Sequence, residues 1–308
     1  MATTAARLKK SEARLEDANA PPEAARFSVT PALFAKFQRL IYEESGIWLG
    51  DSKAALLCGR LSRRLRTLGI PTLDKYYQHV VNPAQSEERA SMIDAITTNE
   101  TRFFREPKHF EFLESHAIPR WRADGDRGLR SKNLRIWSAA CSSGEEPYSL
   151  AMLLARHLPA EQGWKVSIFA TDISTRILAL ALRGIYNISK SRDIPQLLLK
   201  DYMLKGIDEQ KGQMKVMPEI RAMVDFQNLN LMRGSYPPAG HFDVIFCRNV
   251  LIYFDRESKQ KVVQGLTRCL ARNGLLFLGQ AENLSGTNLP FRTLAPSVYT
   301  RMGENGGH

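Results

Sequence analysis

Residues 134–158 read LRIWSAACSSGEEPYSLAMLLARHL, and this stretch decides the fold. LRIWSAAC is an apolar run of strand length, SSG is a turn, and EEPYSLAMLLARHL carries its apolar residues at helical spacing. A strand that enters a helix through so short a turn is the opening unit of a mostly parallel sheet covered on both faces. The same texture continues downstream. VSIFATD (166–172), VDFQNLN (224–230), FDVIFC (242–247) and LLFLGQ (275–280) are further strand-sized runs. TRILALALRG (175–184) and ESKQKVVQGLTRCLARNG (257–274) read as helices between them, the latter expected to stop at Asn273-Gly274. The interval from about 187 to 225 breaks this alternation with Lys, Gly and Pro, and reads as a small inserted β-subdomain.

Upstream the pattern is purely helical. Thr30-Pro31 has the form of an N-cap and first helical residue, and PALFAKFQRLIYEESG (31–46) keeps an amphipathic period to Gly46. A second helix spans roughly Lys53 to Leu68, with Leu57, Leu61, Leu65 and Leu68 in one stripe. Arg60, Arg63 and Arg66 point away from that stripe, and Arg64 lies at its border. The chain thus divides into a tail over 1–26, a helical domain over 27–98, a linker over 99–130, an α/β domain over 131–302 holding the insertion, and a tail over 303–308.

Composition agrees with a globular protein of about two domains. The chain has 308 residues, 44% of them hydrophobic and 24% charged, which excludes a disordered, collagenous or transmembrane chain. The first 26 residues lack the apolar stretch of a signal peptide. Cys58, Cys141, Cys247 and Cys269 form no C-x-x-C pair, so neither a zinc site nor a disulfide framework is expected, and a reducing cytoplasm is. With 43 basic against 32 acidic side chains the net charge is +11, which suits nucleic acid, an anionic membrane surface or an acidic protein.

The site is expected outside the carboxyl ends of the strands. The turn after the first strand holds one glycine, Gly144, rather than G-x-G-x-x-G, and is followed by Glu145 and Glu146. Two carboxylates at a helix start repel a pyrophosphate but suit the helix dipole and a cationic ligand. Asp172, at the end of the next strand, stands where an acid accepts the hydroxyls of a ribose. A ligand with a ribose, no phosphate and a positive charge is S-adenosylmethionine. Two rivals stand beside a protein methyltransferase: a nucleic-acid methyltransferase, though RNVLIYF (248–254) stands where an N-P-P-Y tetrapeptide would be, and a non-catalytic cofactor-responsive adaptor.

The runs AITTNETRFFREPKHFEFL (95–113), IWSAACSSGEEPYSLAMLL (136–154), FATDIS (169–174), FCRNVLIYF (246–254) and GLLFLGQAENL (274–284), in this order, resemble the chemotaxis receptor methyltransferases of the CheR type. The resemblance spans about Phe27 to Met302. It implies an all-helical N-terminal domain, a linker, and a Rossmann-like methyltransferase domain with an inserted antiparallel β-subdomain. It implies transfer of a methyl group from S-adenosylmethionine to glutamate side chains on the acidic cytoplasmic helices of chemoreceptors, leaving S-adenosylhomocysteine. By motif position, Asn99, Thr101, Arg105, Glu146, Asp172, Asn230, Leu231, Arg248 and Asn249 match the family's cofactor contacts. Arg105 and Tyr253 match its methyl-transfer centre. The arginine face of Arg60, Arg63, Arg64 and Arg66 then has an anionic receptor helix as its partner. A receptor C-terminal peptide is a further implied partner at the insertion, although LKGIDEQKGQMK (204–215) departs from the glycine-rich loop of enterobacterial members.

Overall fold

A computed structural model describes residues 28–233, 236–237, 241–285, 287 and 289–302. The two expected tails, 1–26 and 303–308, lie outside these residues. The described residues form two compact units, one of 28–43 with Leu49–Ile96, the other of Glu44–Trp48 with those from Thr97 onward.

The first unit is helical: α1 (Pro31–Ser45), α2 (Ala54–Leu68), α3 (Leu73–Val81) and α4 (Ser86–Ile96). Thr30 caps α1, its Oγ1 accepting the Leu33 amide at 3.2 Å. Leu57, Leu61 and Leu65 of α2 are wholly buried with Phe37, Ile41, Tyr76 and Met92. The leucine stripe ends there. Leu68, the last residue before the left-handed Gly69 that ends α2, is 39% exposed. At the border of that stripe Arg64 Nε donates to Glu88 Oε1 at 3.0 Å, and the Tyr76 hydroxyl donates to the same oxygen at 2.7 Å. Arg60 Nη1 donates to the Ile96 carbonyl, whereas Arg63 and Arg66 are exposed.

The second unit begins with α5 (Pro107–Phe112), a π-helical turn over Leu113–Ala117, and α6 (Ile118–Asp126). Then come β1 (Asn133–Ala139), α7 (Glu145–His157), β2 (Lys165–Asp172) and α8 (Thr175–Arg183). The insertion contributes β3 (Ile185–Asn187), α9 (Gln196–Tyr202), β4 (Met203–Lys205), β5 (Gln213–Val216) and α10 (Pro218–Arg221). The chain closes with β6 (Val224–Asn228), β7 (Phe242–Cys247), α11 (Arg256–Cys269), β8 (Leu270–Leu278), β9 (Phe291–Ala295) and β10 (Val298–Arg301).

The main sheet has the order β6-β2-β1-β7-β8-β10-β9. β6, β2, β1, β7 and β8 run parallel, and the β8–β10–β9 edge is antiparallel. Strands buried on both faces account for the continuous apolar runs FDVIFC and LLFL. One face packs Phe246 on its register partner Phe277, with ring centroids 4.3 Å apart. The other gathers Trp137, Phe242, Ile245 and Leu266. A separate three-stranded antiparallel sheet, β3-β5-β4, forms the insertion. The fold is therefore the α/β, Rossmann-like one that the sequence implied, with its helical N-terminal domain and inserted β-subdomain.

Two boundaries differ from the sequence reading. α11 stops at Cys269 rather than Asn273-Gly274: β8 has already begun, and Asn273, at φ +61°, lies in a bulge between the Leu270 and Leu275 pairings with β7. β6 likewise ends at Asn228, before Asn230. No helix among the described residues is long and apolar enough to cross a membrane.

Candidate active site

With β2 and β7 on either side of β1, the chain reverses direction across the sheet beside β1. The loops after β1, β2 and β7 therefore meet at the carboxyl edge, where such sheets bind ligands. Backbone strain concentrates there. Ala140 and Ser142 after β1, Asn249 after β7, and Phe104 and Glu106 in the linker all hold positive φ without being glycine. Such conformations persist only where surrounding contacts over-determine them.

Asp172 ends β2 with its carboxylate fixed by two peptide amides. Ser142 N–H donates to Oδ2 at 2.9 Å and Ser174 N–H to Oδ1 at 3.0 Å. An acid held at this strand end stands where the vicinal hydroxyls of a ribose are accepted in such sheets. Ser142 in turn donates from its hydroxyl to the Asn99 carbonyl at 3.0 Å, which ties the linker to the same turn. The side-chain amide of Asn99 donates to Thr97, and Thr101 is half-buried. Gly144 is required for two reasons. Its φ is +92°, and a Cβ there would sit 3.0 Å from both Ala181 Cβ and the Tyr186 hydroxyl oxygen.

The glutamate pair is not the open anionic surface that a cationic ligand would meet. Glu145 is fully buried, ion-paired to Lys190 of the insertion and accepting from the Ser143 hydroxyl. Glu146 accepts from Ser138 Oγ at 2.7 Å and from Arg248 Nε at 2.7 Å. Both charges are compensated within the protein, so the sequence argument for a sulfonium partner does not hold at these two residues. The other features, Asp172 and the single-glycine turn, still fit an adenosine moiety.

Arg248 is the hub of the site. Buried to 5% exposure, it donates from Nη1 to the Arg105 carbonyl at 2.7 Å and to His109 Nδ1 at 3.0 Å, beside Glu106. Its guanidinium lies over Phe246 and Phe110. The structure thus joins Arg105, Glu146 and Arg248 directly, and Asn249 through Glu106, which accepts from Asn249 Nδ2 at 3.2 Å. Arg105 itself is half-buried, donating from Nη1 to the Glu100 carbonyl at 2.9 Å. Asn230 stands apart from this group, donating from Nδ2 to the Glu44 carbonyl at 2.7 Å; Leu231 is buried in the core.

Sequence reasoning missed Glu282. Its carboxylate accepts four peptide amides, from Asn249 (2.8 Å) and Gly279 (2.6 Å) on Oε2 and from Leu251 (2.7 Å) and Ile252 (3.3 Å) on Oε1. It clamps the turn that carries Tyr253. It also missed Glu106 and His109. All three lie inside the runs 95–113 and 274–284, among polar neighbours such as Arg105, Lys108, Gln280 and Asn283, so no local pattern singles them out for burial.

Burial, with Arg248 alongside, pushes the His109 imidazole down to about 4. The ring is then neutral, with Nδ1 accepting from Arg248. An unfolded chain binds a proton here near pH 6.5, so this site contributes stability above that pH and loses it as pH falls towards 4. His109→Gln keeps an acceptor for Arg248. It is expected to remove up to about 3 kcal/mol from the stability lost between pH 7 and pH 4 in urea unfolding. Parallel pH profiles of the two proteins would refute this.

Comparison with known proteins gives the family. The profile of the CheR methyltransferase SAM-binding domain matches residues 99–300, and that of the CheR methyltransferase all-alpha domain matches 32–97. The chain belongs to the CheR methyltransferase family. It is similar to the chemotaxis protein methyltransferase of Escherichia coli (strain K12), 39% identical over 275 residues that cover 89% of this chain and 92% of that one. Chemotaxis protein methyltransferase 2 of Pseudomonas aeruginosa is 36% identical over 274 residues, 89% and 94% of the two chains. That of Borreliella burgdorferi is 35% identical over 277 residues, 89% and 95%. As a CheR-family enzyme the chain is an S-adenosylmethionine-dependent methyltransferase of chemotaxis.

Proposed function

We propose that the methyl acceptor is the side-chain carboxylate of glutamate on the cytoplasmic helices of methyl-accepting chemoreceptors. The product is the γ-carboxyl methyl ester, an activity of the protein-glutamate O-methyltransferase class (EC 2.1.1.80). The observation that carries this reading is similarity to chemotaxis protein methyltransferases along both domains, over nine-tenths of the relative's length. The enzyme would work in the cytoplasm and be recruited to receptors. In that recruitment the exposed Arg63 and Arg66 of α2 would meet the acidic helix, while Arg60 and Arg64, held by Ile96 and Glu88, would stiffen the face. A receptor C-terminal peptide on the insertion would be a second contact.

S-adenosylmethionine supplies, when bound, an electrophilic methyl group on a sulfonium. Asn99, Thr101, Asp172, Asn230, Leu231 and Asn249 would hold it, with Asp172 at the ribose. Glu146 and Arg248 would act one layer back, by fixing the backbone of Arg105. The acceptor carboxylate has an ordinary pKa near 4.3 and is already an anion at pH 7, so no strong base is needed. The acceptor oxygen would take up that methyl group in line, and the sulfonium would leave as the neutral thioether of S-adenosylhomocysteine, keeping the electron pair of the broken carbon–sulfur bond. Arg105 and Tyr253 would orient that oxygen in line. Arg105 must not grip it tightly, because the negative charge disappears as the ester forms.

Labelled S-adenosylmethionine is expected to give label on receptor fragments that mild base releases as methanol. Label on RNA, or base-stable label on protein, would overturn the reading. Arg105→Ala is expected to lower kcat on the order of tenfold to a hundredfold, with S-adenosylhomocysteine affinity changed far less. A variant with normal turnover ends the role for Arg105.

A further inference from the structure

Most large apolar side chains in the described residues are buried, but Trp48 is 56% exposed and Ile252 53% exposed. The two lie at one place. The segment Glu44–Trp48 runs against the turn after β7. Ile47 forms an antiparallel bridge with Phe254, and Trp48 N–H donates to the Tyr253 carbonyl at 2.9 Å. Trp48 is thereby tied by its backbone to Tyr253, the last residue of the 3-10 turn Leu251–Tyr253 that also carries Ile252. Asn230 holds the Glu44 carbonyl, and Arg233 pairs with the Glu44 carboxylate at 2.6 Å. Gly46 permits the close approach: its φ is +73°, and a Cβ there would fall 2.2 Å from Met232 Cγ. From the other side Glu282 fixes Ile252 through its amide. An indole and a branched aliphatic side chain are thus held by a rigid frame beside a proposed methyl-transfer residue, with about half their surface in water. Fixed aromatic surface of this kind is where partners anchor.

We infer that Trp48 and Ile252 form an apolar wall that grips the acceptor helix beside its target glutamate and so selects which glutamates are esterified; this rests on the receptor-helix reading above. A glutamate reaching Tyr253 from a helix brings the residues three and four positions away to within about 5–6 Å of it. Those residues meet the wall, so the accepted sites have apolar or small side chains at that spacing. An amphipathic acidic helix fits both the wall and the chain's charge of +11.

The other tryptophans, Trp121, Trp137 and Trp164, are buried, so an aqueous quencher reads Trp48. The full chain with S-adenosylhomocysteine is titrated with the cytoplasmic helical hairpin of a chemoreceptor while acrylamide quenching is followed. Quenching is expected to fall by more than half, with a blue shift, and Trp48→Phe removes the change. In turnover, Trp48→Ala is expected to raise KM for the hairpin about tenfold, an effect on KM rather than kcat, with Trp48→Phe recovering part of it and S-adenosylhomocysteine affinity within twofold. If the hairpin is esterified while Trp48 stays fully quenchable and KM is unchanged in Trp48→Ala, the wall is wrong and the receptor reading stands. If the wild-type protein leaves the hairpin unlabelled, the receptor reading falls and the wall with it. Protection of Trp48 by a single-stranded oligonucleotide but not by the hairpin also overturns the inference, because stacking on bases is then its use.

Discussion

Arg248→Met is expected to cost about 3–5 kcal/mol of stability, because it strips the cation from two buried carboxylates at once. Glu146 would keep only the Ser138 hydroxyl, and Glu106 would lose its nearest guanidinium. The Arg105 carbonyl and His109 Nδ1 would lose a donor in the same step. Lysine is no substitute, since one ammonium cannot donate in the fixed directions of Nε and Nη1 or lie flat over Phe246 and Phe110. The measurement is urea unfolding of Arg248→Met, Glu146→Gln and the double variant. The double variant is expected to recover about 1–3 kcal/mol relative to the sum of the singles, since the stranded charge is then gone. Additive losses would show that Glu146 and Arg248 are not coupled. Turnover should fall as well, because the residue proposed to meet the acceptor, Arg105, hangs from this guanidinium by its own carbonyl.

Glu282→Gln is expected to destabilise by about 2–4 kcal/mol and to loosen the turn that bears Tyr253. A carboxylate offers acceptors on both oxygens, and here both are used, two amides on each. Glutamine has one oxygen and one NH2, so two of the four peptide N–H groups would face a donor in a buried setting. Hydrogen exchange at Asn249, Leu251 and Ile252 reads the turn directly. Those amides should exchange at least tenfold faster in the variant, with amides in the centre of β1 following only the global loss. Unchanged exchange there would mean that the turn is held by its neighbours and Glu282 is dispensable.

The outline of both domains was legible because it rests on local, periodic signals. The β1–turn–α7 stretch announces itself through a strand period that becomes a helix period across one glycine. Asp172 was also legible, since strand ends set the position of an acid without knowledge of its neighbours. The expectation that Glu145 and Glu146 suit a cationic ligand missed their protein partners for the opposite reason. Lys190 lies 45 residues from Glu145, and Arg248 lies 102 from Glu146. No pattern in one sequence reports such pairings.

By itself the sequence determined the alternation of strands and helices, the helical N-terminal domain, the acid at the end of β2 and, through its motifs, the family. Hydrophobic period and turn chemistry act over a few residues and are written along the chain. The tertiary structure alone decided which charges are spent inside the protein. It made Arg248 a buried hub, returned Glu282 to the amides of a turn 30 residues upstream, and tied the Trp48 backbone to Tyr253. These are long-range pairings, and they exist only once the sheet has brought distant loops to one edge, where a charge taken out of water must find a partner.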